Sequence, residues 1–322
     1  MDTAMKWGVA FVPTVSVGAV EPLHAWSHAQ STWNLVMTSV SDTMWDVAED
    51  SMQRGERGEL TKVRDGRVLI LTLNRPESLN ALTPHLHQQL LETLREAASD
   101  KEVGAVVLCG AGRAFCSGGD MRRPEASKAP DAVTRPSLED RADSLLHHGE
   151  TARLLHTMPK PTIAMINGVA AGAGLALALA CDMRFAARGV TLTTSYVRVA
   201  MSGDLGVSYF LTQLVGSAKA RELMFIGDKI SAEEALRIGL VTRVEDAPGL
   251  RQATLHMAAR LADGPAIALR YIKQNIVRAE VGSLDEVMEC EAFHMARCSR
   301  TQDVKEATLA FREKRMPRFT GT

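Results

Sequence analysis

From Leu60 onward the chain settles into a regular order of apolar and polar positions. Arg67 to Leu73 places Val68, Ile70 and Thr72 on one face and Leu69, Leu71 and Leu73 on the other, which predicts a strand buried on both sides and ended by Asn74-Arg75-Pro76. Thr83 to Ala98 carries Leu86, Leu90, Leu91 and Leu94 at helical spacing, with Thr83 as a cap and Pro84 at the first helical position. A strand over Gly104 to Cys109 leads into a glycine-rich stretch, Gly110 to Asp120. Pro124, Pro130 and Pro136 among many charges predict a mobile loop over Arg122 to Asp143, followed by a helix from about Ser144 to Thr157. Then come a strand (Thr162 to Ile166), a Gly/Ala turn, a helix (Ala173 to Ala180) and two strands (Met183 to Ala187, Val190 to Thr193). Alternating strands and helices of this kind predict an α/β fold. Beyond Gly227 the pattern is mainly helical, opening with a capping box at Ser231 and Glu234.

The first fifty residues follow no such period, and they hold all four tryptophans, Trp7, Trp26, Trp33 and Trp45. A signal peptide over Trp7 to Val20 is a weak reading, because Asp2, a single Lys6 and Pro13 spoil its charged and apolar parts. We therefore divide the chain into an atypical, flexible extension (1–58), an α/β core (59–249) and a helical C-terminal subdomain (250–322). Across all 322 residues, 37 Lys and Arg stand against 38 Asp and Glu. That balance argues for a small-molecule partner, with no nucleic acid and no membrane surface involved. Cys109, Cys116, Cys181, Cys290 and Cys298 are scattered and show no zinc or disulfide spacing, so no metal site and a reducing, cytoplasmic setting are expected. The longest apolar run, Ile163 to Cys181, is interrupted by Asn167 and falls short of a membrane span.

Two glycine-rich turns are the candidates for chemistry: Ser117-Gly118-Gly119-Asp120 and Gly168-Val169-Ala170-Ala171-Gly172-Ala173-Gly174. Small residues there let a ligand approach the backbone, and free N–H groups at a helix start favour an oxyanion. Taken alone, each turn reads first as tight strand-helix packing, because Gly-rich patterns match widely. The spacings of a P-loop and of a dinucleotide-binding turn are both absent.

The two turns arrive in a specific company. Leu73-Asn74-Arg75-Pro76 and Asn80-Ala81-Leu82 come first, then Gly112-Arg113-Ala114-Phe115-Cys116-Ser117-Gly118-Gly119-Asp120, Pro159-Lys160-Pro161, and Asn167 to Gly174. Gly227-Asp228-Lys229-Ile230-Ser231-Ala232, Gly239-Leu240-Val241 and Ala310-Phe311-Arg312-Glu313-Lys314-Arg315 follow. In this order the chain, from about Leu60 to Phe319, resembles the crotonase (enoyl-CoA hydratase/isomerase) superfamily. The resemblance implies a spiral of ββα repeats with a helical C-terminal trimerisation region, and a homotrimer or dimer of trimers. It implies an acyl-CoA substrate, coenzyme A entering as part of that substrate, and no tightly bound cofactor. By position, the N–H groups of Gly119 and Ala173 would form an oxyanion hole, while Ala81, Ser117, Gly118, Phe311 and Lys314 match positions that contact coenzyme A.

Two departures from the family pattern bear on the reaction. Ala176 stands where the family's hydratases carry one catalytic glutamate, and Tyr196 stands at the position of the other. Asp204 instead occupies a position similar to the aspartate of dienoyl-CoA isomerases and of the 4-chlorobenzoyl-CoA dehalogenase branch. It is read as the proton carrier, although Asp is also a common helix cap and a helix is expected near Leu205. Tyr196 is a candidate hydrogen-bond donor to substrate or to Asp204. Of His147 and His148, adjacent on one helix, at most one is expected to face inward. Cys116 is read as packing. Enolate chemistry on an unsaturated acyl-CoA is the leading expectation. Hydrolysis of a CoA thioester or a carbon-carbon bond, aryl-CoA displacement by Asp204, and a non-catalytic CoA-binding role stay open as alternatives.

Overall fold

A computed structural model describes residues 58–121 and 137–322. The expected extension over 1–58 lies outside the described residues, Gly58 excepted, and so do residues 122–136 of the expected loop.

The strands are β1 (Leu60–Asp65), β2 (Val68–Leu73), β3 (Ala105–Gly110), β4 (Ala114–Cys116), β5 (Thr162–Ile166), β6 (Val169–Ala171), β7 (Met183–Ala187), β8 (Thr191–Thr193), β9 (Ile230–Ser231) and β10 (Arg243–Glu245). The helices are α1 (Pro84–Ser99), α2 (Leu138–Thr157), α3 (Ala173–Ala180), α4 (Val207–Ile226), α5 (Ala232–Arg237), α6 (Ala247–Ala262), α7 (Ala266–Ala279), α8 (Leu284–Cys298) and α9 (Gln302–Arg312).

From β3 to β8 successive strands alternate between two sheets. The six-stranded sheet runs β1-β2-β3-β5-β7-β10 and the four-stranded one β4-β6-β8-β9. Among the described residues only the β1–β2 and β8–β9 pairs are antiparallel. The first turn, β1-β2-α1, lays both strands in the larger sheet, and each of the next three lays one strand in each sheet and returns through a helix, which is the expected ββα spiral. β3 and β5 are buried along their whole length, and the all-apolar α3 is buried at every residue, which is why β2, β3 and β5 read as continuous hydrophobic runs. Gly104 marks the close approach of α6 to this sheet: a Cβ there would lie 2.6 Å from the Ala262 carbonyl oxygen.

The α1 prediction holds in detail. Thr83 caps it by accepting the Leu86 N–H at 3.0 Å, with proline in the first turn. α2 begins six residues before the expected Ser144. Ser137 and Asp140 form a reciprocal capping box there, and the first turns are exposed, so no apolar period announced them. At α5 only the Ser231 half of the expected capping box is made, its hydroxyl accepting the Glu234 N–H.

Candidate active site

A strap from Arg75 to Thr83 sets the first glycine turn. It opens with a 3-10 turn over Pro76–Ser78, and then Leu79 and Asn80 both take left-handed backbone, at φ 53° and 56°. Such residues cost about 1–3 kcal/mol each and persist only where the surroundings over-determine them. Here the fully buried Asn80 carboxamide donates to the carbonyls of Ala111 (2.9 Å), Ala114 (2.8 Å) and Phe115 (3.3 Å), and accepts the Arg75 N–H at 2.9 Å. Beyond it, the Leu82 N–H reaches the Gly118 carbonyl at 2.8 Å and the Asp120 N–H reaches the Leu82 carbonyl at 3.0 Å. This single parallel bridge turns the intervening Gly119 N–H away from the strap, because alternate backbone groups of an extended segment point to opposite sides.

The second turn is placed by close packing. Gly172, at φ 52°, starts α3 with no side-chain cap, and its N–H bonds the Thr193 carbonyl at 3.1 Å. A Cβ on Gly118 would lie 3.0 Å from the Ala171 oxygen and 3.5 Å from the Ala173 nitrogen, so the two turns meet across a residue that must be small. Gly174 is pressed against Cys116, where a Cβ would fall 2.4 Å from that carbonyl oxygen. Asn167 ties the two turns together, accepting the Gly110 N–H at 3.1 Å and donating to the carbonyls of Gly110 (2.8 Å) and Gly112 (3.0 Å). Among the described residues neither the Gly119 nor the Ala173 N–H has an acceptor, and the latter also lies at the positive end of α3. Each N–H is therefore left for an acceptor on a ligand.

Next to Gly172, the chain from Ser195 to Gly206 holds five left-handed residues: Ser195, Ala200, Gly203, Leu205 and Gly206. This contorted segment brings the Tyr196 hydroxyl to the Asp204 Oδ1, donating at 2.7 Å. Burial first, and then the Asp204 carboxylate, push the phenol well above its ordinary range, which favours the protonated form that donates to the carboxylate. Asp204 is not the helix cap: α4 starts at Val207 behind Gly206, which caps it without a side-chain bond. The carboxylate is thus left to other work. Ala176 lies within the buried α3.

The two histidines separate as expected. His147 is exposed and within 3.1 Å of the Gln88 side chain, while the half-buried His148 stacks on the buried His87, rings 4.4 Å apart and 9° from parallel. Burial, followed by His148 and His147, lowers the His87 imidazole to about 4, and its Nδ1 is buried without a partner. Burial also lowers the His148 pKa, His147 lowers it further, and Asp204 opposes the shift. Cys116 is fully buried, with its thiol on the Asn80 carbonyl at 3.1 Å and its pKa pushed up to about 12 by burial, in keeping with a packing role.

Of the expected CoA contacts, Ala81, Ser117 and Gly118 lie along the strap and first turn. The Ser117 N–H bonds the Leu79 carbonyl at 2.9 Å, and the Ala81 carbonyl accepts from Arg75 at 2.5 Å. Phe311 and Lys314 are not brought there: both are exposed near the end of α9, without a hydrogen bond or ring contact to the turns. Reading the sequence missed the roles of Arg75, Asn80, Asp120 and His87. The first three were visible only as motif letters, and His87 only as a polar break in an apolar helix face. Among the described residues no group of three or more His, Cys, Asp or Glu could hold a metal ion, and no helix is long and apolar enough to cross a membrane.

The family model for enoyl-CoA hydratase/isomerase matches residues 64–322. The chain is 36% identical over 262 residues to the 1,2-epoxyphenylacetyl-CoA isomerase of Escherichia coli K12, covering 81% of this chain and 98% of that protein. It is 32% identical over 253 residues to the short-chain-enoyl-CoA hydratase of Clostridium acetobutylicum, covering 78% and 94%. The crystal structure of an enoyl-CoA hydratase from Polaromonas sp. JS666 superposes with a TM-score of 0.75 at 35% identity, over 81% of this chain and 99% of that one.

Proposed function

Because the chain belongs to the enoyl-CoA hydratase/isomerase family and is an enzyme of it, we propose that it moves a proton within an unsaturated acyl-CoA thioester, using Asp204 and a Gly119/Ala173 oxyanion hole. The observation that carries this reading is the Tyr196 to Asp204 hydrogen bond of 2.7 Å, which holds Oδ1 and leaves Oδ2 for a proton. The Asp204 carboxylate takes a proton from the α or γ carbon, and the C–H electron pair enters an enolate. The two N–H groups carry the charge on the thioester oxygen, each worth on the order of 3 kcal/mol. The carboxylic acid then returns the proton to the other carbon, and the double bond has moved.

Hydration fits these residues less well. Ala176 and the protonated Tyr196 offer no second carboxylate to activate water. The relative named as a 1,2-epoxyphenylacetyl-CoA isomerase supports isomerisation and an aryl-derived acyl group. On the same reading the chain assembles as a homotrimer or dimer of trimers, and the exposed Phe311 and Lys314 meet coenzyme A at a subunit contact.

The test is deuterium exchange from solvent at the α and γ carbons of saturated, enoyl, dienoyl and aryl-CoA thioesters, with free CoA followed in parallel. Asp204→Asn is expected to slow exchange by about 10²–10⁴-fold. Exchange unaffected in the variant removes Asp204 from the role, and release of free CoA without exchange favours hydrolysis instead.

A further inference from the structure

We propose that Arg75 is a positioning residue for catalysis, holding Asp120 so that the neighbouring Gly119 N–H keeps its aim; the proposal rests on the oxyanion-hole reading above. One guanidinium reaches three groups. Its Nη1 and Nη2 both reach Asp120 Oδ2 at 3.0 Å, Nη1 also donates to the Ala81 carbonyl at 2.5 Å, and Nε pairs with Glu59 at 3.0 Å. Only 13% of the Arg75 side chain and 15% of the Asp120 side chain is exposed, so the pair is little screened by solvent.

The geometry ties this clamp to the N–H. Ala81 and Asp120 are the chain neighbours of the bridged pair Leu82 and Gly119, and the one guanidinium bonds to both. Gly119 has no side chain to pack, and a Cβ there would meet nothing within 4 Å. Its peptide plane is therefore fixed by its neighbours' bonds rather than by contacts of its own. The backbone N–H of Arg75 is itself held by Asn80, so the clamp and the left-handed pair at Leu79 and Asn80 form one rigid unit. A planar guanidinium holds its donors apart in fixed directions and so reaches acceptors spread along the strap; an ammonium has three donors clustered on one nitrogen and reaches fewer of those positions.

The experiment uses the full chain and butyryl-CoA labelled with ¹³C at its carbonyl. Difference infrared spectroscopy gives the shift of the bound thioester carbonyl, titration gives its affinity, and α-proton exchange in deuterium oxide gives rate and KM. In the wild type a carbonyl shifted to lower frequency on binding is expected; an unshifted carbonyl overturns the oxyanion-hole reading itself. With that shift present, Arg75→Met is expected to lose most of it and to slow exchange on the order of 10²-fold, with KM changed less than about threefold. Arg75→Lys is expected to recover part of both. Should Arg75→Met fail to fold, Asp120→Asn preserves the shape, weakens the same clamp and is read the same way. A variant that melts earlier yet keeps the wild-type carbonyl shift and exchange rate assigns Arg75 to stability alone and overturns the proposal.

Discussion

The two N–H groups of the site are delivered by opposite means. On the proposed reading Gly119 is aimed by the polar strap, whose Arg75 binds Asp120 and Glu59 and whose two left-handed residues are held in place by the buried Asn80 carboxamide. Ala173 is held by apolar packing, on a helix whose residues are all buried and whose one glycine, Gly174, is pressed against Cys116. Hydrogen bonds fix direction and can be removed one at a time. Close packing has no slack, because a well-filled interior answers an added methyl group with backbone movement. The two turns should therefore fail differently.

The sharpest way to break the symmetry is Gly174→Ala. The new Cβ would fall 2.4 Å from the Cys116 oxygen and 2.7 Å from its sulfur, and the first of these is backbone that cannot rotate away. A loss of more than about 3 kcal/mol in urea unfolding is expected, with exchange of the bound thioester reduced by about 10²–10³-fold in whatever still folds. A variant within about 0.5 kcal/mol of wild type would show that packing on this side is looser than the contacts imply.

Acid should strain the strap's side. α1 leaves the strap at Thr83 and carries His87, which burial and its histidine neighbours hold at about 4. An unfolded histidine titrates near 6.5. Its folded pKa is the lower one, so stability is intact above pH 6.5 and is lost as the pH falls towards 4, the unfolded chain taking up the proton first. By pH 5 the loss is about 2 kcal/mol. His87→Leu is expected to flatten that part of the urea midpoint against pH, and parallel curves for wild type and variant would remove His87 as the cause.

How far the sequence disclosed all this follows the same division. The packing side was legible: β2, β3, β5 and α3 read as apolar runs, and a turn made only of Gly, Ala and Val has few other uses. Tyr196 and Asp204 were also singled out, the first because it stands at a family glutamate position and the second because it matches an aspartate of some family branches, and the structure joins the two by a hydrogen bond. The strap was not legible, because Arg75 and Asp120 are 45 residues apart and the bonds joining them depend on a left-handed pair, Leu79 and Asn80, that no local signal demands. The start of α2 was missed for a simpler reason. A helix whose first turns face solvent carries no apolar period, and its Ser137 and Asp140 box was hidden among charges.

The smallest expected effect tests whether the strap shares its work among several bonds. The Thr83 hydroxyl caps α1 through the Leu86 N–H and also donates to Glu59, the outer partner of Arg75. Thr83→Ala removes the cap, at about 1 kcal/mol, and frees one oxygen of Glu59, while both bonds from Arg75 to Asp120 remain. Urea unfolding should register the lost cap, whereas α-proton exchange should stay within about threefold of wild type, because the Gly119 peptide is still clamped on its inner side. Thr83→Ser, which keeps the hydroxyl, should recover most of the stability. If Thr83→Ala instead lowers exchange as far as Arg75→Met does, the aim of Gly119 depends on the whole length of the strap, and the polar side has no more slack than the packed one.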